Sequence, residues 1–266
     1  MPVWLLYTIF AVIFVLASTA LFFFTLTRGT LIARGIMGKA QDPSSHVYPL
    51  YSNMRLIRLV DYQPLIAAIL LFQYDRLVSS ITSGLHKMNL KGKKVLITSC
   101  AFGNVIPRVV KAAIETGAER VLVADIIRNE LTHAEGKLPE FSGKLEFLEE
   151  NATAMKQADA SVAANIIFFL LHELPHDLKG QALREATRVL EPGGKLYLAE
   201  FHRPSAPVLR ALSWTYFKVF EPLGLALWDT HDPLEMLQAM DGFTCERHTV
   251  FFGNFQVVIA TKNKSV

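Results

Sequence analysis

Short apolar runs alternate with helical segments along most of this chain, and this alternation constrains the fold most strongly. Five runs have the length and composition of buried strands: residues 93–98, 120–125, 145–148, 161–171 and 195–200. Helices are predicted at 104–116 and 179–190, and a closing hairpin pairs 250–252 with 256–261 through Gly253 and Asn254. This order predicts an α/β fold with a doubly wound, mostly parallel sheet. Ligands of such sheets bind at the carboxyl ends of the strands.

The N-terminal segment is apolar enough to enter a membrane. Residues 2–27 hold no charged side chain, and this length exceeds the ~20 residues that a spanning helix needs. Arg28, Arg34 and Lys39 follow at once, and positive residues stay on the cytoplasmic side. We therefore predict a single-pass anchor over 1–27, with the catalytic domain on the cytoplasmic side of a bacterial inner membrane or its organellar equivalent. A cleaved signal peptide and a buried core helix are the alternatives.

Residues 28–90 are interpreted as a linker and an N-terminal helical lid, and residues 91–266 as the α/β domain. Gly, Ser and Pro mark 35–49 as a loop, and 50–89 is helical in two pieces. The second piece begins near Pro64 and contains the apolar run 65–72, which is too short to span a bilayer.

Composition excludes two classes of protein. The chain has only two cysteines, Cys100 and Cys245, so neither a disulfide scaffold nor a cysteine zinc site can form. A net charge of +3 without a basic stripe argues against a nucleic-acid partner.

The turn after the first strand is the predicted cofactor loop. Small residues from Ser99 to Gly103 let the backbone approach a ligand closely. Asp125 ends the second strand, where an acid can hydrogen-bond ribose hydroxyls, although it could instead be a helix N-cap. A turn with one glycine rather than three disfavours a dinucleotide such as NAD.

Two further motifs carry a family resemblance. Residues 188–196 read RVLEPGGKL and residues 168–173 read FFLLHE, and both resemble class I S-adenosylmethionine-dependent methyltransferases. The resemblance implies S-adenosyl-L-methionine as the cofactor, with Asn151 and Ala152 near the adenine and Phe102 and Phe169 lining the sulfonium. The implied cofactor-binding set is Thr98, Ser99, Cys100, Phe102, Gly103, Asn104, Asp125, Ile126, Asn151, Ala152 and Phe169.

A narrower resemblance concerns the loop CAFGNVIP at 100–107 and the stretches 200–204, 220–228 and 252–256. These are similar to the rhodoquinone biosynthesis protein RquA family. That likeness implies amino transfer from S-adenosylmethionine to ubiquinone, assisted by a divalent metal such as manganese, with no metal ligands assigned. Asn104 and Asn151 stand where related proteins carry acids, which leaves fewer carboxylates for a metal.

Four residues are candidates for catalysis. His172 and Glu173 follow the fourth strand, where a histidine can act as a general base, although a core histidine is the alternative. His202 follows the fifth strand. Tyr74 could close the pocket, although an amphipathic surface tyrosine fits the pattern as well.

The expected acceptor is an isoprenoid quinone dissolved in the lipid bilayer. Residues 206–228 interleave aromatic and basic side chains, which suits either a helix in the headgroup region or a packed lid. The first hypothesis is a membrane-tethered transferase acting on a quinone, and the second is a methyltransferase acting on a quinone or another lipid. The third is a non-catalytic partner of a quinone-biosynthesis assembly.

Overall fold

A computed structural model describes residues 3–23 and 53–264 and divides the chain into two compact units, Met1–Asn53 and Met54–Val266. The predicted loop 35–49 and the three basic residues after the anchor lie outside the described residues. The division of the chain at residues 27 and 90 stays a prediction.

The first unit contains helix α1, Val3–Phe23. Its 21 residues extend about 30 Å at about 1.5 Å per residue, which matches the thickness of a hydrocarbon core. The large apolar side chains of α1 are exposed, including Trp4 and Phe14. The buried core-helix alternative is therefore wrong, and by length and composition α1 is either a membrane span or a signal sequence.

The second unit begins with three helices where two pieces were predicted. They are α2 (Met54–Val60), α3 (Gln63–Ile69) and α4 (Tyr74–His86). The axes of α3 and α4 differ by 97°. The apolar side of α4 is fully buried in the core, so α4 packs on the α/β domain and the pair is not a broken span. That these helices act as a lid stays a prediction, and α2–α4 are called the lid below.

The remaining elements alternate as predicted. The strands are β1 (Lys94–Thr98), β2 (Arg120–Asp125), β3 (Leu145–Glu149), β4 (Val162–Phe168), β5 (Leu190–Phe201), β6 (Phe243–Val250) and β7 (Phe255–Lys262). The helices are α5 (Val105–Glu115), α6 (Arg128–Glu135), α7 (His176–Arg188), α8 (Pro207–Phe220) and α9 (Pro233–Gln238). Short 3₁₀ turns occupy Pro139–Lys144, Leu171–Glu173 and Pro222–Trp228.

One seven-stranded sheet has the order β3-β2-β1-β4-β5-β7-β6. The first five strands are parallel, and β7 runs antiparallel between β5 and β6. β4 is buried at every position, because helices cover both faces of a central parallel strand. The predicted α/β class with a mostly parallel sheet is confirmed.

Several predicted boundaries move. The sequence Glu191-Pro192-Gly193-Gly194 was expected to end a helix, but it lies within β5, where the pairing with β4 shifts register between Val162 and Ala164. The fourth strand ends at Phe168 instead of residue 171, because the next residue, Phe169, adopts a positive φ of 56°. The closing hairpin is longer than predicted and already begins at Phe243.

Candidate functional site

The loops that follow β1, β2, β4 and β5 meet at one edge of the sheet, because these strands are parallel neighbours. All the predicted catalytic residues except Tyr74 lie on these loops or at the ends of these strands. Thr98, the last residue of β1, turns its hydroxyl inward and donates to Asn165 Oδ1 at 2.8 Å. The hydroxyl of Thr98 is therefore not available to a ligand.

The loop after β1 is tightly folded beneath Tyr74. Ser99 and Gly103 have positive φ values of 76° and 86°. A Cβ at Gly103 would lie 2.5 Å from the Tyr74 hydroxyl, so the sequence requires glycine there. Tyr74 is 1% exposed and donates to the carbonyl of Phe102 at 3.3 Å. The surface-tyrosine alternative is therefore wrong, and burial raises the pKa of this phenol.

The lid reaches the same loop through two side chains that the sequence analysis did not single out. Asp61, which links α2 to α3, accepts the backbone N–H of Gly103 at 2.5 Å, and Gln63 accepts that of Asn104 at 3.1 Å. His133 Nε2 lies 2.6 Å from the second carboxylate oxygen of Asp61, and Lys137 forms an ion pair with the same oxygen. The lid is thus tied to the loop by a buried, charge-assisted network.

The carboxylate of Asp125 hydrogen-bonds the loop after β1. It accepts the backbone N–H of Cys100 at 2.6 Å and that of Ile127 at 2.7 Å. The N-cap of α6 is Ile127, so Asp125 is not that cap. Burial raises the pKa of Asp125 to about 6, against the opposing effect of these hydrogen bonds. The side chain of Ser99 and the backbone N–H of Ile126 also hydrogen-bond this carboxylate, so a ribose hydroxyl would have to share an oxygen with these donors or replace one of them.

The other predicted cofactor residues differ in how accessible they are. Burial and the charge of Asp125 raise the pKa of the Cys100 thiol, which makes it a poor nucleophile. Ile126 is exposed, whereas Ala152 is half-buried. The Asn151 side-chain oxygen already accepts the backbone N–H and the hydroxyl of Thr153, both at 2.9 Å.

His172 forms a buried pair with Glu200, the penultimate residue of β5. Its Nδ1 lies 3.0 Å from one carboxylate oxygen, and its backbone N–H donates to the other at 3.2 Å. Burial alone lowers the pKa of His172, but Glu200, with Glu221 and Glu173, outweighs it and raises the pKa to about 9. At neutral pH the ring is therefore a cation, whereas the predicted general base requires a neutral ring.

Two further charged side chains, Glu173 and Lys179, lie near this pair. Nε2 of His172 lies 3.8 Å from the Glu173 carboxylate. The fully buried Lys179 donates to the carbonyls of Leu171 and Leu174 at 2.5 and 2.6 Å, and burial lowers its pKa to about 8. Lys179 thus fixes the turn that carries His172 and Glu173.

An aromatic wall adjoins this pair. Phe169 packs edge-on against Phe168 and Phe201 with ring centroids 4.9 and 4.8 Å apart. Phe201 contacts the His172 ring at 5.0 Å and Phe217 of α8 at 4.9 Å. The predicted aromatic residue Phe169 therefore lies beside the predicted catalytic histidine.

His202 is used differently. Its Nδ1 donates to the carbonyl of Gly253 at 2.6 Å, and its Nε2 accepts from Arg247 at 3.1 Å. Burial and Arg247 lower its pKa, so the ring is neutral. Both ring nitrogens are thus hydrogen-bonded, and they connect the end of β5 to the β6–β7 hairpin. A catalytic role for His202 stays a prediction.

The donor set at this edge does not suit a divalent metal. Within residues 3–23 and 53–264, no group of three or more His, Cys, Asp or Glu side chains is arranged to hold a metal ion. Asp61 is neutralised by Lys137, and Asp125 is committed to backbone N–H groups. The manganese expected from the family resemblance is therefore not supported.

The fold is that of the S-adenosylmethionine-dependent methyltransferases. A methyltransferase of that class from Aquifex aeolicus superimposes with a TM-score of 0.54 at 17% identity, covering 79% of this chain and 98% of that chain. The magnesium protoporphyrin IX methyltransferase from Synechocystis PCC 6803, solved with bound SAH, gives 0.53 at 15% identity, covering 71% and 83%.

The sequence comparisons narrow this class. The family model of the ubiE/COQ5 methyltransferase family matches residues 60–240, so the chain belongs to that family. The ubiquinone/menaquinone biosynthesis C-methyltransferase UbiE of Ectopseudomonas mendocina is 28% identical over 57% of this chain and 62% of its own length. UbiE of Bartonella bacilliformis is 27% identical over 65% and 73%. The chain thus spans about three-fifths of the length of several curated relatives.

Proposed function

We propose that this protein is an S-adenosylmethionine-dependent transferase that modifies the ring of a membrane-resident isoprenoid quinone. One observation carries the proposal: the loop after β1, the acid after β2 and the lid converge at one sheet edge, in a chain of the ubiE/COQ5 family. The UbiE relatives are named for ubiquinone and menaquinone biosynthesis, which supports a quinone as the acceptor.

The adenosyl cofactor would lie over the loop from Ser99 to Asn104, with its ribose hydroxyls on Asp125. The proposal rests on the position of this loop at the end of β1, beside the buried Asp125 carboxylate at the end of β2. Ile126 and Ala152 would flank the adenine, and Phe102 and Phe169 would face the sulfonium, whose cation an aromatic ring attracts. When bound, the cofactor supplies the group that is transferred.

The acceptor would lie against the aromatic wall near His172. As an imidazolium, His172 can donate a hydrogen bond to a quinone oxygen, with Glu200 holding the proton on the ring. Glu173, 3.8 Å from Nε2, would orient the other side of the ring. Tyr74 would close the cleft by holding the cofactor loop in place.

We propose amino transfer to ubiquinone, yielding rhodoquinone, as the particular reaction. Support comes from the likeness of residues 100–107, 200–204 and 252–256 to the RquA family. Methyl transfer to a quinone ring is the second candidate, and the name C-methyltransferase carried by the UbiE relatives favours it.

Quinone extraction tests the proposal. A bacterium that makes ubiquinone but no rhodoquinone would express the full chain, an Asp125→Ala variant or an exposed-acid control, Asp177→Ala. A quinone in which an amino group replaces a methoxy group, made by wild type and by the control only, supports amino transfer. Ring methylation in a strain lacking its own C-methyltransferase, with S-adenosylhomocysteine as coproduct, supports methyl transfer. Unchanged quinones in both strains refute both reactions.

Membrane attachment belongs to the same proposal. α1 provides a candidate span, and α8 exposes Val208, Leu212 and Trp214. These features support a single-pass protein in contact with the bilayer. The basic residues Arg28, Arg34 and Lys39 after the apolar run favour the cytoplasmic side for the α/β domain. Protease added to sealed spheroplasts should leave the C-terminus intact. A mature protein lacking residues 3–23 would show instead that α1 is a cleaved signal.

A further inference from the structure

Glu130 is a buried acid that the cofactor site described above does not use. It lies in the first turn of α6 and is only 3% exposed. Among the described residues, its Oε1 has no hydrogen-bond partner. A buried carboxyl oxygen without a partner costs free energy, so the position calls for a ligand or a function.

Glu130 lies near the charged groups that contact the loop after β1, since Asp125, Asp61 and Lys137 hydrogen-bond that loop and also act on Glu130. The charges that act on it come from four separate parts of the chain: Asp125 at the end of β2, Asp61 in the lid, Glu173 after β4, and Lys137 after α6. Glu130 in turn acts on the thiol of Cys100 in the cofactor loop. These groups enclose the edge where the loops after β1, β2 and β4 meet.

The charges at this edge do not balance. Lys137 is committed to Asp61 and to the carbonyl of Gly103, which it reaches at 3.0 Å, and His133 also bonds Asp61. Asp125 is satisfied by backbone N–H groups, which carry no full charge. Burial, then Asp125 and Asp61, raise the pKa of Glu130 to about 9, so the acid keeps its proton at neutral pH until a cation arrives.

We propose that Glu130 compensates the positive charge of the bound nucleoside cofactor, an inference that rests on the proposed use of S-adenosylmethionine. Binding of the cation would favour the ionised carboxylate, and the proton of Glu130 would leave to solvent. The affinity for a cationic ligand should then rise with pH from 7 towards 9, by at most about tenfold per pH unit for one proton.

Calorimetry on the full chain in detergent tests this inference with three ligands. S-adenosylmethionine carries a sulfonium, an ammonium and a carboxylate; S-adenosylhomocysteine carries only the ammonium and the carboxylate; and methylthioadenosine carries none of these charges. In buffers of different ionisation enthalpy, wild type should release close to one proton on binding S-adenosylmethionine at pH 7.5. Glu130→Gln should release none and bind about ten- to hundredfold more weakly, the loss of one charged contact. Glu135→Gln, an exposed acid on the same helix, is the matched control and should behave as wild type.

The ligand series assigns the charge. Weakening of S-adenosylmethionine alone identifies the sulfonium, and weakening of both charged ligands but not of methylthioadenosine identifies the ammonium; both results support the proposal. Equal weakening of all three ligands, or unchanged binding of S-adenosylmethionine with proton release retained, overturns it. Glu130→Met, which keeps the volume without the polar group, should show the same ligand pattern and guards against a fold defect of the amide. A wild-type chain that binds none of the three refutes the proposed function itself.

Discussion

Replacing Glu200 with Gln should change how stability depends on pH. Glu200 is fully buried and accepts hydrogen bonds from His172 and from the backbone N–H of Phe201. Burial opposes the charge of His172, yet Glu200 and its acidic neighbours raise the pKa to about 9 from the ordinary 6.5. The favourable contribution of His172 is therefore complete below pH 6.5 and is lost as pH rises towards 9.

The expected change in unfolding free energy follows from the pH range over which His172 is charged only in the folded state. Between pH 6.5 and pH 8 the unfolded ring loses its proton and the folded ring keeps it, so His172 should account for a loss of roughly 2 kcal/mol of unfolding free energy. Glu130 adds a decline of the same sign, because it also keeps its proton only in the folded state. A pH range that extends above 8 would also include the titration of Lys179, because burial lowers its pKa to about 8. The contribution of Lys179 to the unfolding free energy rises with pH there, opposite to that of His172.

Urea unfolding of the full chain in detergent, at pH 6 and pH 8, measures this effect. Glu200→Gln should be less stable at pH 6 by about 3 kcal/mol, the cost of leaving a buried charge unpaired. Its stability should decline towards pH 8 by roughly 2 kcal/mol less than that of wild type, because only the part of the decline due to Glu130 remains. Glu246→Gln is the matched control, because Glu246 pairs with His248 at 3.9 Å on the exposed face of β6 and should change neither quantity. A Glu200→Gln variant that keeps the full wild-type decline would refute the assignment of the charge to this pair.

Three further predictions concern the loop, the ribose acid and the membrane. Gly103→Ala should lower the affinity for S-adenosylmethionine at least about tenfold and cost roughly 2 kcal/mol of stability. The control is Gly92→Ala, because Gly92 also has a positive φ but has open space around it. This variant should cost about 1 kcal/mol of stability and leave the titrated affinity for S-adenosylmethionine unchanged. Affinity for the cofactor should fall as pH drops through about 6, where Asp125 takes up a proton, and Asp125→Asn should remove that dependence; an unchanged pH profile in Asp125→Asn would contradict the ribose role. Leu212→Glu on α8 should raise KM for a long-chain quinone in vesicles but not for a soluble short-chain quinone, and equal effects on both would argue against a lipid-facing α8.

The strands and the turn after β1 could be predicted because they depend on local patterns. A run such as residues 120–125, apolar and ending in an acid, forms β2 with the same bounds. The Pro-Gly-Gly sequence in β5 was misassigned because these residues usually end elements, whereas here pairing with β4 extends the strand through a register shift.

The contacts that complete the site could not be predicted, because they join residues far apart in sequence. Asp61 accepts a hydrogen bond from the backbone of Gly103, which is 42 positions away in the sequence. The residue pattern near Asp61 does not predict this contact. The His172–Glu200 pair depends on β4 and β5 lying side by side, and the role of His202 depends on the β6–β7 hairpin folding back. The burial of Glu130 could not be predicted, because an acid in the first turn of a helix is ordinarily exposed to solvent, where it interacts favourably with the helix dipole.

The two halves of the sheet edge differ in their electrostatics, and under the proposed function this difference separates the two substrates. On the β1–β2 side, Asp125 and Glu130 are buried acids without a full cationic counterpart, which favours a cationic ligand. On the β4–β5 side, the His172–Glu200 pair is internally neutral and faces the ring of Phe201, which suits an uncharged aromatic acceptor. A cation placed against the imidazolium of His172 would be repelled, whereas one beside Glu130 would be stabilised. Under the proposed function, the cationic cofactor would therefore lie on the β1–β2 side and the uncharged acceptor on the β4–β5 side.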